Sequence, residues 1–109
     1  MPETYKVLAQ TNPTAANLTD SYTVGASRSA VVSTIVIANR SSVATAYRVS
    51  IAVAGAGDDV KQYIAYDTPI TGNDTIAMTL GISLATTDVI RVYATLATLS
   101  FNIFGVEIT

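Results

Sequence analysis

The chain has 109 residues, half of them hydrophobic, with neither His nor Cys; that length suits one domain, and the missing Cys excludes disulfide stapling and thiolate metal sites. Its basic residues, Lys6, Arg28, Arg40, Arg48, Lys61 and Arg91, are dispersed singly in a chain of net charge −2, so no clustered basic face exists to meet nucleic acid phosphates. Only 13% of residues are charged, about half the usual share, so much of the surface is neutral Thr, Ser and Ala: the profile of a homo-oligomer or assembly partner, with a Thr/Ser-surfaced β monomer as the alternative.

Period-2 alternation bounded by turn residues predicts strands. Tyr5–Gln10 is the first. It stands behind a leader that lacks the charged and apolar regions of a signal peptide. Thr11-Asn12-Pro13 ends it, and Asn12–Asp20, which has no apolar stripe, is a loop or at most one helical turn. Ser21–Val24 follows, ended by Gly25. Ala30–Asn39 is apolar at nearly every position, which predicts a central strand covered on both faces. Thr45–Val53 alternates, with Tyr47, Val49, Ile51 and Val53 on a packed face and Arg48, Ser50 and Ala52 on the other. After the turn Gly55-Ala56-Gly57-Asp58-Asp59 comes Gln62–Tyr66, then a turn at Gly72-Asn73-Asp74. Thr75–Leu80 packs Ile76, Met78 and Leu80; Gly81 breaks it and Ile82–Leu84 restarts it. Val89–Thr95 sets Ile90, Val92 and Ala94 against Val89, Arg91 and Tyr93. The final run, Leu99–Thr109, buries Leu99, Phe101 and Ile103, then slips phase to Phe104, Val106 and Ile108, with a β-bulge at Gly105. About eight strands at roughly ten-residue spacing and no helix predict a single all-β domain over residues 1–109, an antiparallel β-sandwich of jelly-roll type.

The longest uncharged stretch, Val92 to Val106, is shorter than the about 20 apolar residues a membrane helix needs. The sequons at Asn17, Asn39 and Asn73 read as chance in a Thr/Ser-rich chain, since glycosylation would require secretion.

Nucleophilic catalysis needs a Ser, Thr or Cys beside an oriented base, and without His the bases are carboxylates and two lysines. No catalytic or cofactor site is predicted. Asp58 and Asp59 in their Gly loop invite a calcium reading, but the spacing is not that of an EF-hand, and a solvated hairpin tip accounts for it. The tyrosines Tyr5, Tyr22, Tyr47, Tyr63, Tyr66 and Tyr93 suit interfaces, where an apolar ring and a polar tip both find partners. Tyr63 and Tyr66, three apart, are expected on opposite strand faces, one of them a contact residue. Arg40, Arg48 and Arg91 lie on neutral faces, where one could pair with a partner carboxylate. Tyr5, Tyr63, Tyr66, Arg48 and Arg91 are thus the candidate interface residues. Tyr5–Gln10 is either a short protective edge strand or an arm that adds a strand to a neighbour.

The segments Tyr5–Gln10, Val31–Arg40, Tyr47–Ala52, Gln62–Asp67, Thr87–Ala94 and Leu99–Thr109 together resemble a family of small virion structural proteins of tailed bacteriophages and cyanophages, over nearly the whole chain. The likeness is one of strand texture with a few polar anchors. Gly25 departs from it, standing where family members often have Pro. The resemblance implies a capsid cement or decoration protein, made in the host cytoplasm and located on the virion. Its partners would be the major capsid protein and itself, as a dimer or trimer, and it would have no cofactor and no catalytic residue. A tail, baseplate or receptor-binding module is the alternative it leaves open, and a host adhesin or pilus-like module a further one.

Overall fold

A computed structural model describes residues 2–109. Eight strands carry the fold: β1 (Glu3–Thr11), β2 (Thr19–Thr23), β3 (Ser29–Asn39), β4 (Thr45–Ala52), β5 (Tyr63–Ile70), β6 (Thr75–Leu84), β7 (Val89–Ala94) and β8 (Leu99–Ile108). Two short 3-10 turns, Val53–Gly55 and Val60–Gln62, shape the β4–β5 connection. The strands form two four-stranded antiparallel sheets, β1-β8-β3-β6 and β2-β7-β4-β5.

This order has a simple generator. First pairs with last, second with seventh, third with sixth and fourth with fifth, as if one long hairpin had been rolled up. That is the jelly-roll topology expected from the sequence. The inner faces supply the core, with Val32, Ile35, Ile37, Phe101 and Ile103 from one sheet meeting Val49, Ile90 and Val92 from the other, all fully buried. Tyr47 meets Phe101 edge to face at 6.3 Å between centroids, the arrangement favoured by ring quadrupoles.

Buried polar groups pin the loops. Asn39, which opened a sequon, is buried; its amide donates to the Val43 and Thr71 carbonyls and its Oδ1 accepts from Ser41 N. It therefore ties two loops together, with no room for a glycan. At the other end Glu107 accepts from the Tyr22 hydroxyl at 2.7 Å and pairs with Lys6 at 2.7 Å and Arg28 at 3.4 Å.

Several expectations are corrected. β8 keeps strict alternation through Ile108 and carries no phase slip. The irregularities lie in its neighbours, where Leu8 of β1 and Ser33 of β3 are the extra residues beside Phe104 and Gly105. Gly105 marks the spot because the bulged β3 backbone crosses so close that a Cβ there would overlap the Val31 carbonyl. β3 is central, but its outer face is only partly covered, and Val31 remains 37% exposed. β4 ends at Ala52, leaving Val53 exposed. Rather than breaking at Gly81, β6 runs on to Leu84, and β5 continues past Pro69 to Ile70. The N-terminal segment lies along β8 of its own chain as an edge strand.

Candidate interaction surfaces

The outer face of the second sheet gathers four of the candidate residues, Tyr63, Tyr66, Arg48 and Arg91. In the pairing of β4 with β5, Val49 opposes Ala65 whereas Ser50 opposes Tyr63, so Ile64 is an extra residue. The bulge changes the parity of the strand. Tyr63 and Tyr66 therefore share the outer face, with ring centroids 4.9 Å apart and planes at 89°, and the expectation of opposite faces fails.

Arg48, on the same face, organises what surrounds it. Its guanidinium carbon lies 4.2 Å from the Tyr66 ring centroid and 4.3 Å from that of Tyr93, which is cross-strand on β7. Two of its nitrogens donate to Asp67, at 2.7 and 3.3 Å. Those bonds hold the guanidinium above its already high ordinary pKa, so it is cationic at any physiological pH. Tyr63 donates to Asp58 at 2.8 Å; partial burial and that bond raise its phenol pKa. The result is an aromatic patch fixed by a planar cation, a composition typical of interface anchors. Tyr93, Asp67 and Asp58 complete it; from the sequence Tyr93 stood only among the interface-suited tyrosines and Asp58 only as a loop carboxylate, and Asp67 was not singled out. For Tyr93 the signal was present, because its place opposite Arg91's neighbours on an alternating strand puts it on the outer face.

Arg91 is engaged differently. It donates to Asp20 at 2.8 Å and to the Ala56 and Gly55 carbonyls at 2.7 and 3.2 Å. Only 13% of its side chain is exposed, so its role is to draw the β4–β5 loop across the sheet. Beneath that loop Ser50 and Ala52 are fully buried although they point outward. The loop carboxylates are also engaged: Asp59 caps the second 3-10 turn through Lys61 N, and Asp58 holds Tyr63. Among the described residues no group of three or more His, Cys, Asp or Glu converges on one point.

Tyr5 lies elsewhere, on the outer face of the first sheet, 78% exposed. With Val7 it is cross-strand to Val106 and Phe104, beside Val31 of β3. Where the bulges open the sheet, a groove of about 450 Å³ runs past Tyr5, Val7, Ser33, Phe104 and Val106. Among the described residues no helix is long and apolar enough to cross a membrane. Comparison with family models, curated proteins and solved structures finds no match to the chain, so the meaning of these surfaces rests on their own chemistry.

Proposed function

We propose that the protein is a structural component of a bacteriophage particle, a cement or decoration protein that binds across joints between major capsid subunits. The observation that carries this reading is the tyrosine–arginine patch on the second sheet. Tyr63, Tyr66 and Tyr93 offer large contact area at little entropic cost, and Arg48 is already oriented, so docking need not order it. The likeness of the strand segments to small virion proteins and the sparse charge of the chain support the same conclusion. Repetition over a shell would multiply a modest affinity per copy.

The test is reconstitution on the particle of the phage that encodes the chain. Shells lacking the protein should take it up to hundreds of copies and hold their DNA to a higher temperature. Tyr66→Ala, at an exposed position, should cut occupancy about tenfold or more, the loss of one aromatic anchor. Shells that bind neither form would refute the assignment, and shells that bind both alike would refute the tyrosine–arginine patch as its docking site.

A second reading, a tail or receptor-binding module, has one observation in its favour. The half-exposed Tyr66 ring lies beside the carboxylate of Asp67, and an aromatic surface next to hydrogen-bond acceptors also suits sugar hydroxyls. Copies in multiples of three or six at a single vertex would select that reading.

A further inference from the structure

We propose that the outer face of the first sheet is a self-association surface, on which a second copy of this chain packs sheet against sheet about a two-fold axis. This extends the reading above to a different face and does not depend on which shell the tyrosine–arginine patch meets.

Charge is the first argument. Among the described residues, Glu3, at the corner opposite Ile108, is the one charged side chain placed on this face. Lys6 and Glu107 pair at the inner end of the sandwich, and Arg48, Asp67, Arg91 and Asp20 pair on the other sheet. An isologous contact brings each group near its own symmetry copy, so a charge close to the axis meets its like. A neutral face suits a copy of itself. A partner recognised through charge would find nothing to pair with there.

Size is the second argument. Four strands about 4.8 Å apart, each about ten residues long at about 3.3 Å per residue, span about 19 by 33 Å, or about 600 Å². Two copies would bury about 1,200 Å², at the threshold of stable interfaces. Outward-facing Val7 and Val31, both exposed, and the partly exposed Val36, Phe104, Val106 and Ile108 beside them supply the apolar centre.

Shape is the third. The groove beside Gly105 exists because Leu8 and Ser33 are bulged there, and Tyr5 stands exposed at its rim. A two-fold axis near the groove places each Tyr5 ring in the groove of the other copy. The proposal thus assigns one anchor per subunit.

Sedimentation equilibrium of the purified full chain tests this. The wild type should be dimeric at about 10–100 μM. Val106→Glu should be monomeric throughout that range, while Val60→Glu, equally charged but on the remote loop, stays dimeric. Tyr5→Ala should weaken the dimer at least tenfold; its side chain is exposed, so it also serves should Val106→Glu fail to fold by circular dichroism. A wild type that remains monomeric at about 100 μM overturns the proposal, as does a dimer that Val106→Glu and Tyr5→Ala leave unchanged. Monomers that still occupy shells would overturn this inference alone, and dimers that bind no shell would overturn the capsid assignment alone.

Discussion

At Glu107 one carboxylate serves three donors in a buried setting. Bonds from Lys6 and Tyr22 hold its pKa below the usual carboxylate range, against the opposing effect of burial, while burial and the bond to Glu107 push the Tyr22 phenol far up. Because the folded pKa lies below the unfolded value of about 4.3, the stabilisation is present in full above that value and lost as pH falls through the folded one. Replacing Glu107 with Gln keeps an acceptor for Tyr22 but forfeits the charge-assisted bond to Lys6, at a cost of about 1–3 kcal/mol near neutrality. Thermal melts of the two proteins from pH 7 to below pH 4 should therefore converge as acidity rises. A gap independent of pH would show that the carboxylate's charge contributes nothing to the fold. Lys6 and Glu107 are almost a whole chain apart, so nothing local in the sequence announced their meeting; what was visible was only a lone acid in an apolar terminal strand.

Elements were legible in proportion to how regular they are. Alternation in β7 and in the first half of β8 predicted which side chains enter the core, since each such strand needs one apolar face and tolerates one neutral one, whereas Phe104, Val106 and Ile108, expected as a second apolar set after a phase slip, face outward. The failures cluster where a residue is added to a strand: Ile64 in β5 brought Tyr63 and Tyr66 to one face, and Leu8 and Ser33 moved the irregularity away from Gly105. Such insertions are set by pairing with a neighbour, and a strand read alone does not reveal its partner. Three of the five candidate interface residues, Tyr63, Tyr66 and Arg48, do meet, because the bulge corrects their spacing. Arg91 was read as a contact residue from its solitary charge, but the β4–β5 loop claims it. Ala54 N bonded to Asp88 and Gln62 bonded to the Gly57 carbonyl also tie that loop, but its apolar side chains contribute little, since Val53 and Val60 are 68% and 85% exposed. Arg91→Ala should therefore raise amide hydrogen exchange in Val53–Gln62 while leaving β3 and β8 protected, with a stability loss of about 0.5–1.5 kcal/mol, the net worth of bonds to carbonyls that water can reach. Arg91→Lys should rescue little, because an ammonium cannot reproduce the planar fork that reaches Asp20, Gly55 and Ala56 at once. Uniform loss of protection over the whole chain would contradict a role confined to the loop.

On the scale of the molecule, the rolled-hairpin topology makes each sheet a mixture of chain beginnings and endings. β8 lies between β1 and β3 and pairs with both, from Glu3↔Ile108 to Asn39↔Leu99. It also contributes Leu99, Phe101 and Ile103 to the buried centre. No half of the chain can therefore close a core alone, and folding must wait for contacts between residues far apart in sequence, which places it in the slow range of milliseconds to seconds. Removing β8 would orphan the inner edges of β1 and β3 and three large core side chains, each worth about 2–5 kcal/mol, which together match or exceed the whole stability of about 5–15 kcal/mol of an ordinary domain. A chain ending at Ala97 should thus be unfolded by circular dichroism and amide exchange, and a peptide spanning Thr98–Thr109 added in excess should restore the β spectrum. A truncated chain that kept cooperative unfolding without the peptide would mean that the second sheet is a folding unit in its own right, contrary to a core shared between both layers.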